Sequence, residues 1–508
     1  MSETLRPDAR PDGRPRGRPD EADGGGAALS AVAARCREIL APDAVITDPV
    51  RLRTYECDGL TYHRATPGVV VLPETAEQIA AIVRACNEHG VPFVARGSGT
   101  GLSGGALPRT DGVLIVTSRM RRILSVDLAS RRAVVEPGVT NLSITDAVRE
   151  DGFYYAPDPS SQQICSIGGN VAENSGGAHC LKYGFTVNHV EACEIVTPDG
   201  DIVELNRMDP GYDLLGAFVG SEGTLGIATK ITVRLTSTPE AVTTLLAAFA
   251  DIESGGRAVS AIIGAGVVPA AIEMMDALSI EAAEAAVACD YPAGAGAVLV
   301  VELDGPLAEV ERQYYEVERL CLDAGAFELR VAQNAAERAA IWKGRKSAFA
   351  AVGRISPAYL VQDGVVPRTA LPRVLAGIDE LSREYGIRVA NVFHAGDGNL
   401  HPLVLFDDEE EGAGERAEIV SGRILDLCIQ HGGSITGEHG VGVDKSRYMT
   451  RMFSDEDLDT MQLVRCAFDP GNLSNPGKVF PTPRLCGEAP GVRKGVHPLV
   501  ASGQAELF

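Results

Sequence analysis

Four loop segments in the first half of the chain do most to constrain its fold, because three of them are dense in glycine. The first covers residues 96–105 and directly follows a predicted strand over residues 91–95. The second, residues 155–160, contains two prolines, and the glycine-dense third and fourth cover residues 166–177 and 220–227. Glycine lets backbone approach a ligand closely, so these loops indicate main chain wrapped around an extended ligand. The short strands predicted between them indicate an α+β domain.

The first loop contains Gly99-x-Gly101-x-x-Gly104, the glycine spacing of Rossmann dinucleotide sites. In a Rossmann unit this loop opens a helix whose N-terminus faces the pyrophosphate. Here Pro108 and a predicted strand over residues 113–117 follow instead, which argues against a βαβ unit. On the residues alone two interpretations stay open: a nest of backbone N–H groups that holds a phosphate, or a glycine-rich turn without a ligand.

The pattern changes near residue 240 and predicts two domains between two tails. Residues 27–238 carry many short strands, whereas residues 239–481 alternate longer helices with strands, which predicts a second α+β domain. Residues 1–26 lack periodicity and are predicted to be a disordered tail, and residues 482–508 are predicted to be a surface tail. The helices predicted in the second domain cover residues 256–264, 307–324, 335–352, 371–385 and 415–431. Its predicted strands cover residues 243–249, 298–303, 359–363, 389–394 and 401–406.

Charge and composition exclude several classes of function. The formal net charge of −23 argues against a nucleic-acid partner, because phosphate binding needs a cationic face. The eleven cysteines form no Cys-x-x-Cys pair, which argues against a zinc ribbon or a cysteine-bound iron–sulfur cluster. No apolar run is long enough to span a membrane, and the N-terminus lacks the apolar core of a signal peptide. A cytoplasmic protein without a membrane span is therefore predicted.

Two histidines of the second domain, His394 and His401, flank a Gly-Asp-Gly turn, and each adjoins an apolar run. On paired strands both rings can face the same side, and Glu438 further along the chain adds a carboxylate. Two imidazoles and a carboxylate with an open fourth position suit a divalent metal such as Zn²⁺ or Mn²⁺. The alternative is a pair of histidines at a hairpin end that make ordinary hydrogen bonds.

Residues 154–161, 179–184, 353–357 and 390–401 carry a resemblance to a known family. Together with the order and spacing of the loops, they resemble the vanillyl-alcohol oxidase/p-cresol methylhydroxylase (PCMH) superfamily and, within it, the flavin-binding chains of bacterial glycolate oxidases. The likeness extends over nearly the whole chain between the tails. It implies an α+β chain with a PCMH-type FAD-binding domain of two α+β subdomains. It further implies a C-terminal ferredoxin-like α+β domain of the FAD-linked oxidase type for substrate and metal.

The resemblance also implies which residues bind FAD. The first loop would hold the pyrophosphate, Glu222, Gly226 and Ile227 would hold the adenosine side, and Asn475 would return from the C-terminus to the flavin. The implied FAD-binding residues are Arg96, Gly97, Ser98, Gly99, Thr100, Gly101, Leu102, Ser103, Gly104, Pro157, Asp158, Ser160, Gly168, Gly169, Asn174, Gly176, Gly177, Glu222, Gly226, Ile227 and Asn475. Thr100 stands where some relatives attach FAD through a histidine, so non-covalent FAD is implied.

The implied reaction is the FAD-dependent oxidation of a small 2-hydroxy acid. His439 follows the third metal ligand, and a neutral imidazole there would act as general base toward a metal-acidified hydroxyl. Arg345 would bind the substrate carboxylate, because a guanidinium pairs with a carboxylate through two hydrogen bonds. The alternatives are a hydrogen-bonding role beside the metal for His439 and a solvated helix face for Arg345. Phe349 and Val361 replace polar residues of relatives that oxidise 2-hydroxyglutarate, which favours a small monocarboxylate.

Glycolate, oxidised to glyoxylate, is therefore the predicted substrate, and a D-lactate dehydrogenase of the same family is the nearer alternative. A non-catalytic flavin-binding scaffold is the more distant one. The resemblance implies a second flavin-domain subunit and an iron–sulfur subunit as partners, because this chain lacks iron–sulfur ligands. Any association with the inner face of the plasma membrane would be peripheral, through those subunits.

Overall fold

The computed structural model of the protein describes residues 21–481. The predicted C-terminal tail, residues 482–508, and residues 1–20 of the predicted N-terminal tail lie outside the described residues. The first helix begins at Glu21, so the end of the N-terminal segment predicted to be disordered is helical instead. In the described part of the chain, no helix is both long enough and apolar enough to cross a bilayer.

The first domain combines short strands with short helices, as predicted. Its strands are β1 Val45–Ile46, β2 Val69–Val71, β3 Phe93–Arg96, β4 Val113–Val116, β5 Ile123–Asp127, β6 Arg132–Val135, β7 Phe153–Tyr154, β8 Val190–Val196, β9 Ile202–Asn206, β10 Ile227–Arg234 and β11 Thr236–Ser237. Its helices are α1 Glu21–Ile39, α2 Pro49–Leu52, α3 Ala76–His89, α4 Asn141–Val148, α5 Ile167–Glu173, α6 Cys180–Tyr183 and α7 Leu214–Phe218.

Two sheets divide the first domain into two α+β subdomains, which confirms the predicted arrangement. The first sheet has the order β1-β2-β4-β3, with β2, β4 and β3 parallel, and α1 and α3 pack on it. The second sheet is antiparallel with the order β5-β6-β10-β8-β9, and α4 and α5 contribute to its core. Within this sheet, β8 and β9 pair antiparallel as a hairpin.

Helix α3 shows how local sequence sets these elements. The Thr75 side chain caps the helix by accepting a hydrogen bond from the Gln78 N–H, and Gly90 ends it in the left-handed conformation at φ 63°. Its apolar residues recur at helical spacing and are buried against the first sheet: Ile79, Ile82, Val83 and Cys86. At about 1.5–3 kcal/mol for each large buried side chain, this face fixes the helix on the sheet.

The glycine loop after β3 runs without a helix to β4, which confirms the prediction that it is not a Rossmann unit. Strands β3 and β4 are parallel neighbours, yet the connection between them is irregular over residues 97–112. The loop therefore meets a ligand with its backbone rather than with a helix N-terminus.

The second domain is built on one large sheet. Its strands are β12 Ala241–Phe249, β13 Ala271–Asp276, β14 Ala297–Gly305, β15 Glu328–Val331, β16 Ala358–Val361, β17 Gly364–Val365, β18 Val389–His394, β19 Asn399–Leu400 and β20 Pro402–Phe406. Its helices are α8 Ile252–Gly264, α9 Ala277–Val287, α10 Leu307–Asp323, α11 Ala335–Val352, α12 Leu371–Tyr385, α13 Ala413–Gln430, α14 Met449–Met452 and α15 Asp455–Phe468.

Helices cover both faces of this sheet, whose main path is β15-β12-β14-β13-β18-β19-β17. In β12, Leu245, Ala247 and Phe249 pack with α8, α10, α12 and α13, whereas Leu246 and Ala248 face α9 and α11. A strand buried on both faces has a nearly continuous apolar sequence, as β12 and β14 do. The predicted bounds of α11, α12 and β18 are confirmed, whereas β13 and α9 were not predicted.

Charged side chains connect the two domains. His179 of the first domain lies between Asp158, at 2.8 Å from its Nδ1, and Glu302 of β14, at 3.2 Å from its Nε2. Lys182 and the Tyr183 hydroxyl bind the Asp304 carboxylate nearby. Burial alone would lower the pKa of His179, but the two flanking carboxylates raise it to about 10.

We expect the domain contact at His179 to weaken in alkali. A histidine whose folded pKa is raised from 6.5 to about 10 stabilises the protein fully below pH 6.5 and loses that contribution as the pH rises through 10. Urea unfolding at pH 6, 8 and 10 should therefore show the His179→Gln protein losing less stability over this range than wild type, by a few kcal/mol. Equal pH dependence of the two proteins would contradict a charged His179.

Candidate active site

A cavity of about 1040 Å³ lies between the two domains, bounded by the glycine loops on one side and the large sheet on the other. From the second domain, α11 contributes Phe349, β16 contributes Val361, and the β18–β20 hairpin contributes His394 and His401. The cavity therefore brings the two sets of predicted site residues to one place.

Most of the residues predicted to bind FAD form the wall of this cavity. The residues on the wall are Arg96, Gly97, Ser98, Gly99, Thr100, Gly101, Leu102, Ser160, Gly168, Gly169, Gly176, Glu222, Gly226 and Ile227. The predicted residues that lie off the wall are Ser103, Gly104, Pro157, Asp158, Asn174, Gly177 and Asn475. The structure thus separates residues that face the cavity from residues behind them.

The residues behind the wall support the loops. The Asp158 carboxylate is hydrogen-bonded to the His179 ring, and the Asn174 side chain accepts a hydrogen bond from the Val187 N–H at 2.9 Å. Asn475 donates to the carbonyl oxygens of Gly105 at 2.9 Å and Glu222 at 2.6 Å, which connects two of the glycine loops. These side chains shape the cavity without facing it.

The first glycine loop packs closely on the third. A Cβ at Gly97 would overlap the Ser166 hydroxyl, to which the Ser98 N–H donates at 3.2 Å. Gly99 adopts φ 70°, a conformation that L side chains rarely adopt. A cavity of this volume with a glycine-rich backbone wall fits an extended dinucleotide such as FAD. The loop on this wall carries Thr100, not a histidine, at the position where some relatives attach FAD covalently.

The histidine hairpin and the later loop converge on one carboxylate. His394 ends β18 and His401 precedes β20, and their Nε2 atoms lie 3.1 Å and 3.0 Å from the same Glu438 oxygen, Oε1. Burial alone would raise the pKa of Glu438, but His394 and His401 hold it well below its usual range. Two imidazole nitrogens around one carboxylate oxygen are a donor set that fits a divalent cation of the zinc or manganese type.

A carboxylate that the sequence analysis missed orients His394. Glu273 of β13 is paired across the strands with His394, and its Oε1 lies 2.7 Å from His394 Nδ1. With Nδ1 held in this way, Nε2 faces Glu438 and is free to bind a cation. Glu273 is buried, and no local feature of its strand separates it from an ordinary strand glutamate.

Arg345 lies behind this pair and not on the cavity wall. Its guanidinium is buried, and Nη2 lies 2.6 Å from Glu273 Oε2. The Nε atom of Arg345 has no hydrogen-bond partner among the described residues. Because the guanidinium is paired with Glu273 and lies behind the wall, the structure does not bring Arg345 into the cavity with the other predicted site residues.

His439 is stacked on a metal-ligand candidate. Its ring lies 4.8 Å from that of His401 with an angle of 5° between the planes, and its Nδ1 has no hydrogen-bond partner among the described residues. Burial lowers the pKa of His439 to about 4. The ring is therefore neutral near pH 7 and can accept a proton.

Asp363, at the end of the predicted strand over residues 359–363, is a second residue that the sequence analysis missed. Asp363, His401, Glu438 and His439 each offer one atom within 4.8 Å of the others, a donor set that overlaps the predicted one. The Asp363 carboxylate, however, accepts hydrogen bonds from three successive backbone N–H groups, the last of them from His439 at 2.8 Å. These hydrogen bonds connect Asp363 to the loop, and His394, His401 and Glu438 remain the predicted cation ligands.

Glu222 lies on the cavity wall with the other residues predicted to bind FAD. Its carboxylate oxygens accept hydrogen bonds from the N–H groups of Val441 and Gly442 at 2.6 Å and 2.7 Å. The carboxylate therefore also contacts the second domain, and its role at the adenosine stays a prediction.

Comparison with known proteins agrees with this two-part site. Residues 67–206 match the FAD binding domain family, and residues 238–479 match the family of FAD linked oxidases, C-terminal domain. The solved structure of p-cresol methylhydroxylase with substrate bound superimposes with a TM-score of 0.76 at 17% identity, over 89% of this chain and 97% of that one. The described residues therefore share the fold of that enzyme.

Two curated relatives extend the likeness to sequence. Glycolate oxidase subunit GlcD of Escherichia coli (strain K12) is 52% identical over 437 residues, which cover 85% of this chain and 88% of the relative. D-lactate dehydrogenase of Anaerostipes hadrus is 31% identical over 87% of this chain and 96% of the relative. The chain thus belongs to the FAD-linked oxidase family, as an FAD-binding oxidoreductase similar to the glycolate oxidase subunit GlcD.

Proposed function

We propose that this chain is the flavin subunit of a glycolate oxidase and oxidises glycolate to glyoxylate. The observation that carries the proposal is the convergence of His394, His401 and Glu438 at the wall of the cavity that the glycine loops enclose. This arrangement joins a binding site for a small hydroxy acid to a binding site for FAD. The 52% identity with glycolate oxidase subunit GlcD supports the same substrate.

Each residue has a separate task in the proposed reaction. His394, His401 and Glu438 would hold a divalent cation, Zn²⁺ or Mn²⁺, which would supply a Lewis acid for the substrate hydroxyl. His439 then accepts the hydroxyl proton on its neutral imidazole. The glycine loops would hold FAD non-covalently, and FAD would supply the acceptor for the hydride of the α-carbon.

The substrate carboxylate needs a cation, and we propose that Arg345 supplies this positive charge from behind the cavity wall. Its buried guanidinium is paired with Glu273, which also binds His394, so the charge lies next to the proposed cation site. Phe349 and Val361 give the cavity wall apolar side chains near this residue, and Lys346 also lines the wall. The proposed substrate is a small monocarboxylate, which the 52% identity with glycolate oxidase subunit GlcD supports.

Reduced FAD requires an acceptor beyond this chain. We assign this role to a second flavin-domain subunit and an iron–sulfur subunit of the same complex. The proposed location is the cytoplasm, with peripheral contact to the inner face of the plasma membrane through those subunits.

Anaerobic mixing of the FAD-loaded protein with substrate tests the proposal. Glycolate should bleach the oxidised flavin absorbance faster than D-lactate and far faster than D-2-hydroxyglutarate. Prior treatment with a chelator should slow the bleaching, and Zn²⁺ or Mn²⁺ should restore it.

The order of rates decides between the two candidate substrates. Faster bleaching by D-lactate would favour a D-lactate dehydrogenase, which the 31% identity with such an enzyme makes the second candidate. An unbleached flavin with every 2-hydroxy acid would contradict both and leave a flavin-binding scaffold.

A further inference from the structure

The loop that carries Glu438 and His439 is held by a carboxylate of its own domain on one side. Asp363 accepts hydrogen bonds from the backbone N–H groups of Gly437 at 3.0 Å, Glu438 at 3.1 Å and His439 at 2.8 Å. The fully buried Lys445 ammonium lies 3.5 Å from the same carboxylate and balances its charge. These contacts shape the loop but do not place it relative to the other domain.

A carboxylate of the first domain holds the next residues of the loop. Glu222 accepts from the N–H groups of Val441 at 2.6 Å and Gly442 at 2.7 Å, one with each carboxylate oxygen. Two hydrogen bonds from adjacent N–H groups, one to each carboxylate oxygen, restrain both the position and the direction of the loop. Gly440 lies between the residues that bind Asp363 and those that bind Glu222.

Close packing at Gly440 leaves the loop no room to shift toward the first domain. Gly440 adopts φ 85°, and a Cβ there would overlap the carboxylate of Glu173 and lie 2.9 Å from Glu222 Oε1. Both glutamates lie on the wall of the FAD cavity. The backbone beside His439 is therefore in contact with the domain that binds the flavin.

Glu222 is itself held in place. It adopts φ 52°, a left-handed conformation that is uncommon outside glycine, and Asn475 donates to its carbonyl oxygen at 2.6 Å. Lys478 in turn donates to the Asn475 side chain at 3.0 Å. A strained, buried glutamate persists where the surrounding structure determines it, which is typical of residues that serve a site.

We propose that Glu222 is a positioning residue that sets the place of His439 relative to the flavin by binding the loop across the domain boundary. This inference rests on the proposed function for its effect on rate, but the contact itself does not. Hydride transfer and proton removal must act on one substrate molecule, so the distance between the flavin and the base has to be constant. A displacement of about 1 Å in such a geometry costs on the order of a hundredfold in rate.

Glu222→Gln tests the proposal, because the glutamine keeps the size but turns an NH₂ group toward one of the two N–H donors. Glu136→Gln is the matched control, since Glu136 is a buried carboxylate of the same domain that binds Arg122 and not the loop. Both proteins are compared with wild type for bound FAD, for hydrogen–deuterium exchange of residues 437–445, and for the rate of anaerobic flavin reduction at saturating glycolate.

We expect the Glu222→Gln protein to bind FAD fully and to exchange the amides of residues 441–442 at least about tenfold faster. Its flavin reduction should slow on the order of a hundredfold with a nearly unchanged apparent substrate Kd, whereas Glu136→Gln behaves as wild type.

Unchanged exchange in this segment would overturn the proposed contact, whatever the substrate. Faster exchange with an unchanged reduction rate would overturn the positioning role. Wild-type flavin that no hydroxy acid reduces would instead count against the proposed function, and the exchange comparison would still decide the contact.

Discussion

Replacing His439 with alanine should lower the rate of anaerobic flavin reduction by glycolate about a thousandfold, because a positioned general base contributes on the order of 10²–10⁴ to such a reaction. His394 and His401 each place a ring nitrogen at hydrogen-bonding distance from a carboxylate, whereas Nδ1 of His439 has no partner among the described residues. Burial keeps the proton off the His439 ring near pH 7. Stopped-flow spectroscopy at saturating substrate measures the rate.

The fold and the cofactor serve as controls for this variant. His439→Ala should retain FAD and show a substrate Kd within a few fold of wild type, because the ring makes no hydrogen bond to the described residues through Nδ1. His431→Ala, at the end of α13 and away from the cavity wall, should reduce its flavin at the wild-type rate. A His439→Ala protein that reduces flavin as fast as wild type would exclude His439 as the base.

Replacing His401 with alanine should remove the bound divalent cation and lower flavin reduction at least about a hundredfold. The ring supplies one of the two imidazole nitrogens that face Glu438, and with only two ligands left the affinity for Zn²⁺ or Mn²⁺ should fall steeply. Metal content measured by elemental analysis after dialysis gives a readout that does not depend on turnover. FAD content should stay at the wild-type level, because His401 belongs to the second domain.

Comparing two variants distinguishes residues that bind the cation from residues that only orient those ligands. Glu273→Gln keeps the three ligands but weakens the hydrogen bond that orients His394, so its metal affinity should fall by about 10–100-fold, less than for His401→Ala. Equal metal content in wild type and His401→Ala would contradict the proposed ligand set and would favour ordinary hydrogen bonds for the two histidines.

Local patterns predicted the elements that carry the site. The apolar periodicity of α11 and α12 and the continuous apolar residues of β18 led to their observed bounds, because helix and strand periods are properties of neighbouring residues. The same reasoning failed for β13 and α9. The glutamate inside β13 breaks its apolar run, and the alanine-rich α9 has little contrast between its faces.

The buried carboxylates could not be assigned from the chain alone. Glu273 and its partner His394 are 121 residues apart, and Glu222 and Val441 are 219 residues apart. A glutamate in a strand or a glycine loop has the same local sequence whether it faces a ligand, a histidine or a backbone N–H. For Glu222 the resemblance to flavoproteins indicated the adenosine of FAD, and the packed domains add a contact with the N–H groups of Val441 and Gly442 that the sequence did not indicate.

The amino-acid sequence by itself determined the α+β class, the loops that enclose the FAD cavity, and the His394–His401 hairpin with Glu438 and His439. Each depends on spacing along the chain, on glycine conformation or on a recognisable family pattern. Only the tertiary structure decided which group each buried carboxylate binds. Glu273 binds the His394 ring, and Asp363 and Glu222 bind backbone N–H groups of the loop that carries His439. The physical reason is that a buried charge must find its partner in the packed structure. Strand pairing and loop packing within the second domain determine the partners of Glu273 and Asp363, and docking of the two domains determines the partner of Glu222.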